Sequence, residues 1–166
     1  MSGMETTAKG INARKYLTEW LKIVTSMATA DIRAIPEDKW TSTFGGRTRP
    51  ANLLAADALE LMYWTAETLK GNSPPPSDDD SLKVLAERIA NREDAISTLE
   101  SASEELVTAI NEASDETLSK VVRAPWGQEA PLFMIAQIAV SHIWYHDGQF
   151  NYIHCLLGDD KIYWGG

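Results

Sequence analysis

The chain has 166 residues, 44% of them hydrophobic and 23% charged. That balance is expected of one soluble globular domain spanning 1–166, and a single cysteine, Cys155, excludes an intrachain disulfide, as suits a reducing cytoplasm. The 24 acidic residues outnumber the 15 basic ones, for a formal net charge of −9 with no Lys/Arg-rich run, which argues against a nucleic-acid partner.

No apolar run approaches the ~20 residues needed to span a bilayer. The opening MSGMETTAKG has no basic stretch followed by an apolar block, so no secretory signal is expected and the location expected is cytoplasmic. No internal repeat recurs at a fixed period. Proline and glycine punctuate the chain at 44-FGGRTRP-50, 71-GNSPPPSDDD-80 and 124-APWGQEAP-131. The segments between them read as helices.

The first predicted helix runs from about Thr7 to Ala34, with Tyr16, Leu17, Trp20, Leu21, Val24 and Met27 on one apolar stripe. The second begins at Pro50, a favoured first-turn residue, and ends near Lys70-Gly71. The third is expected from Ser81, as a cap, to about Ala113. Segment 121-VVRAPWGQEAPL-132 is too broken for a helix, and its Trp-Gly centre suits a tight turn between two short extended arms. The fourth helix runs from about Pro131 to Leu157, closed by Gly158. Four long helices and no convincing sheet predict an all-α fold, an antiparallel four-helix bundle.

The fourth helix carries all three histidines, at 142, 146 and 154. On a helical wheel Ile135, Ile138, Ala139, His146, Gln149, Ile153 and Leu156 fall within roughly 60° of His142. This predicts that His142 and His146 both point into the core, as neighbours that could share a metal ion. His154 lies roughly 12 Å further along the axis and is expected at the surface or an interface. A further side-chain ligand would come from a facing helix, and Asp57 of the second helix falls inside that helix's apolar arc. An unpaired buried charge is costly, so Asp57 either meets a partner or rests solvated at a bundle end. Two imidazoles and one carboxylate suit zinc, nickel or ferrous iron, with Gln149 and Tyr145 as supporting groups around the ligands. Val140, Trp144 and Cys155 lie roughly opposite the histidines. An outward Trp144 with Val140 suggests a homodimer contact.

The stretch 142-HIWYHDGQFNYIHCLLGD-159, the terminal Trp164 and the upstream 125-PWGQEAPL-132 resemble the DinB-like superfamily, including its DUF664 branch. The resemblance implies a four-helix bundle in up-down-down-up order, often dimeric. It implies a divalent metal, frequently nickel or zinc, held by three histidines, two of which match His142 and His146. Some such proteins are thiol transferases, so a small-molecule or thiol substrate is implied. Where the third histidine would fall, this chain reads 53-LLAAD-57. Either Asp57 substitutes as ligand in a thiol-transferase-like enzyme, or the site is degraded in a non-enzymatic bundle that serves as a ligand-binding or stress-associated module.

Overall fold

The computed structural model describes residues 12–75 and 78–164. Six helices and one small hairpin occur among them: α1 (Ala13–Ala34), α2 (Ala51–Leu69), α3 (Asp79–Arg88), α4 (Arg92–Glu112), α5 (Asp115–Ser119), β1 (Val121–Arg123), β2 (Glu129–Pro131) and α6 (Leu132–Leu156). A 3-10 turn, Glu37–Lys39, follows α1.

The long helices α1, α2, α4 and α6 form a ring in which α1 and α2 each pack on both α4 and α6. Side-chain contacts fix their directions. Thr25 donates to Ser103 at 3.0 Å while Arg14 reaches the carbonyl of Ala113, so α1 and α4 run antiparallel. Trp20 packs on Trp144 and Asn151 donates to Asp31, so α1 and α6 run parallel. Asp57 meets His146, while Leu54 and Ile153 lie in one cavity wall, so α2 opposes α6. The result is the up-down-down-up bundle. Its core is a continuous apolar cluster that includes Leu21, Ile32, Leu59, Met62, Leu106, Ile135 and Phe150.

Local chemistry sets the helix ends. The Asn12 side chain accepts from Lys15 N at 3.0 Å and starts α1, and residues 7–11 of the predicted first helix lie outside the described residues. The expected long third helix is two helices. Asp78, not Ser81, caps α3, with Ser81 closing a capping box, and Asn91 starts α4 afresh after a break at residues 89–91. Segment 121–132 forms two antiparallel arms, Val121 opposite Pro131, around a Trp126-Gly127 turn. Helix α5 was not anticipated, because five residues are too few to show an apolar period. Tyr16, expected on the α1 core stripe, is exposed.

Trp40 fixes the path from α1 to α2. It is fully buried, its indole donates to Ile89 O at 2.8 Å, and its own carbonyl accepts from Asn52 N at 3.1 Å. That anchor holds residues 41–50 over the end of the bundle where α2 begins.

Candidate metal centre

The buried arc of α6 is centred roughly 80–90° round from His142, through Ile143, His146, Asp147 and Phe150. His146 is 0% exposed, whereas His142 sits at the edge of the arc. The same rotation corrects two expectations. Val140 is a core residue at 1% exposure and is not on an outward face. His154 is 2% exposed rather than at the surface. Trp144 is 51% exposed, and its ring stands edge-on to Trp20 at 5.4 Å. Cys155 is exposed.

Asp57, in the second turn of α2, is brought against the two histidines. One ligand atom from each of Asp57, His142 and His146 lies within 4.8 Å of the others. His146 Nε2 is 3.4 Å from Asp57 Oδ2 and 3.1 Å from His142 Nε2. A tetrahedral ion with bonds of about 2.0–2.1 Å needs ligand atoms about 3.3 Å apart. These two spacings therefore fit one ion.

The surrounding groups orient the two rings so that their Nε2 atoms face each other. Gln149 Oε1 lies 2.7 Å from His146 Nδ1 and can only accept, so the ring donates there and a neutral His146 keeps its lone pair at Nε2. Gln149 is held by donating to the Tyr145 hydroxyl at 3.3 Å, and the Tyr145 ring stacks parallel to His142 at 6.1 Å. Burial, then the neighbouring His146, bring His142 down to about 4 against the pull of Asp57, so it is neutral at pH 7. Its Nδ1 is buried without a hydrogen-bond partner. Burial pushes the Asp57 carboxyl up, but contact with His146, the hydrogen bond from Arg49 and the field of both histidines hold it at about 2. The candidate donor set is thus the Asp57 carboxylate and one ring nitrogen from each histidine.

Arg49, just before α2, was not foreseen at this site. Its guanidinium donates to Asp57 Oδ2 at 2.8 Å, so one carboxylate oxygen is shared between an arginine and a histidine. The sequence signal was the basic run 47-RTRP-50 placed eight residues before an aspartate on an apolar arc. Arg49 and Gln149 also wall a cavity of about 200 Å³, so that cavity borders the triad through the two groups that hold Asp57 and His146.

A second polar cluster lies between α1 and α6, and sequence reading missed it. Asp31 is 0% and Asp147 1% exposed. Asn151 donates to Asp31 Oδ2, and His154 Nε2 lies 3.0 Å from the Asp31 carbonyl oxygen and donates to it. Burial, with the hydrogen bond and charge of Asp31, pushes Asp147 up to about 8. Burial also raises Asp31, against hydrogen bonds from Asp147 and Asn151 and the charge of His154. The pair therefore keeps a proton at neutral pH.

No protein-family model matches this chain, and no curated protein matches it in sequence. Solved structures do match in fold. The mycothiol-dependent maleylpyruvate isomerase superposes with a TM-score of 0.62 at 16% identity, covering 82% of this chain and 60% of that one. A mutant of that enzyme gives 0.63. This chain therefore spans about three-fifths of the isomerase. A DinB-like protein from Bacillus subtilis, YjoA, superposes at 0.62 with 15% identity, covering 89% of this chain and 94% of that one. The fold of this chain is the DinB-like fold.

Proposed function

We propose that Asp57, His142 and His146 hold one divalent ion, zinc, nickel or ferrous iron, and that the protein is a metal-dependent enzyme of the thiol-transferase type acting on a small molecule. The observation that carries this reading is the meeting of the three ligand atoms within 4.8 Å across two helices. An ion there would supply Lewis acidity and lower the pKa of a bound thiol or water. The chain's own residues do the rest. Gln149 fixes the His146 tautomer, Arg49 orients Asp57, and the adjoining cavity offers room for a substrate. The fold shared with a mycothiol-dependent isomerase supports the thiol direction.

One observation favours a second reading, a metal-free binding module. Arg49 already places a cation on Asp57, and both His146 nitrogens have partners, so the network is nearly closed without an ion. Elemental analysis of untagged protein, with His142→Ala and His146→Ala beside it, separates the two. Near-stoichiometric metal in the parent and its loss in both variants is expected. Negligible metal in the parent, unrecovered on adding zinc or nickel, selects the module.

A further inference from the structure

The cavity beside the triad has a chemistry of its own. Phe44, Leu54, Ile153 and Leu156 give it apolar walls, Thr48, Gln149 and Tyr152 add neutral polar groups, and among the described residues its charged lining groups are Arg47 and Arg49. In a chain with 24 acidic residues and 15 basic ones, the described lining of this cavity holds two guanidiniums and no carboxylate, and of the two cavities with such a basic lining it is the one that adjoins the triad. Arg49 spends one Nη on Asp57. Among the described residues no ion pair or hydrogen bond engages the Arg47 side chain, which is exposed at the rim.

The turn that carries Arg47 is built rather than slack. Gly45 and Gly46 take φ of 93° and 58°, values other residues rarely adopt. Thr48 closes the turn, its Oγ1 accepting from Phe44 N at 2.9 Å and donating to Gly45 O at 2.8 Å. Phe44 is thereby set in the cavity wall with Arg47 three residues on.

We propose that this cavity selects a small molecule with an apolar body and a carboxylate, with Arg47 as its anchor and Arg49 shared between the ligand and Asp57. At about 200 Å³ it is smaller than the ~300–1,000 Å³ of drug-sized sites, which limits the ligand to something near a single ring. A planar guanidinium pairs with a carboxylate through two parallel hydrogen bonds, so a neutral amide of the same shape is discriminated against. The proposal deepens the metal-centre reading by naming its substrate class. It depends on that reading for reactivity but not for binding.

The test is ligand-detected NMR titration of the full chain with benzoate and benzamide, in chelator-treated and zinc-supplemented samples. Benzoate is expected to bind at least about tenfold tighter than benzamide, and Arg47→Gln to remove about that factor. Lys120→Gln should change nothing. It lines a separate cavity at the far end of α2, roughly 20 Å from Asp57, beside Lys70 and Arg123. Equal binding of benzoate and benzamide, an unchanged Arg47→Gln, loss in Lys120→Gln, or no binding of either probe overturns the proposal. Benzoate binding through Arg47 in a chain that takes up no zinc would sink the metal reading alone. Zinc binding without preference for the carboxylate would sink this proposal alone.

Discussion

Two carboxylate–histidine clusters share helix α6, and they differ in what surrounds them. Asp31, Asp147 and His154 are sealed between α1 and α6, bonded to Asn151 and to backbone. Asp57, His142 and His146 sit at the edge of the core, with Asp57 27% exposed in its side chain, an arginine on the carboxylate and a cavity alongside. The first keeps a proton, because two buried carboxylates side by side cannot both ionise cheaply. The second keeps its carboxylate ionised and its His142 neutral. A sealed cluster of this kind specifies packing, whereas an open one with ring nitrogens facing a carboxylate can take a ligand.

The largest effect that separates them is on folding. Asp31→Ala strips the acceptor from Asn151 and the partner from Asp147, and should cost about 3 kcal/mol in chemical denaturation. His142→Ala, half-buried at the edge, should cost about 1 kcal/mol or less in chelator-treated protein. Equal losses would erase the distinction.

The next effect is on pH dependence. In the folded state Asp147 keeps its proton up to about 8, while an unfolded aspartate loses it near 3.8. Between these values the folded state binds more protons, so stability falls as pH rises and levels off above the upper one. Asp147→Asn removes this slope. Denaturation at pH 5 and pH 8 should show the parent losing more stability than the variant, and parallel losses would contradict the shared proton.

These two clusters were unequally legible in the sequence. The four helices showed in their periodicity, and the i,i+4 pair His142–His146 with Asp57 could be matched across helices. The wheel for α6 was centred wrongly for a physical reason. Packed on both α1 and α2, α6 buries a wide arc that contains the polar Asp147 and His154. A hydropathy count pushes such residues outward, and the wheel then turns Val140 to solvent and His154 to the surface. Asp31 pairs with residues more than a hundred positions away, and no local pattern reveals that. Arg49 reaches Asp57 across a loop–helix junction, where helical spacing says nothing.

The smallest effect concerns Trp144, the outward residue expected at a dimer contact. Loss of its edge-on contact with Trp20 in Trp144→Ala should cost about 1 kcal/mol. Sedimentation of the parent at tens of micromolar tests the dimer expectation directly. A single monomeric species would leave Trp144 as a partner of Trp20 alone.

The most direct test of the open cluster is calorimetric titration of zinc into untagged, chelator-treated protein, comparing the parent with Asp57→Asn, His142→Ala and His146→Ala. The account predicts one ion per chain in the parent, affinity at least about tenfold weaker in Asp57→Asn, and no measurable site in either histidine variant. Absence of binding in the parent, or an affinity that Asp57→Asn leaves unchanged, would contradict it.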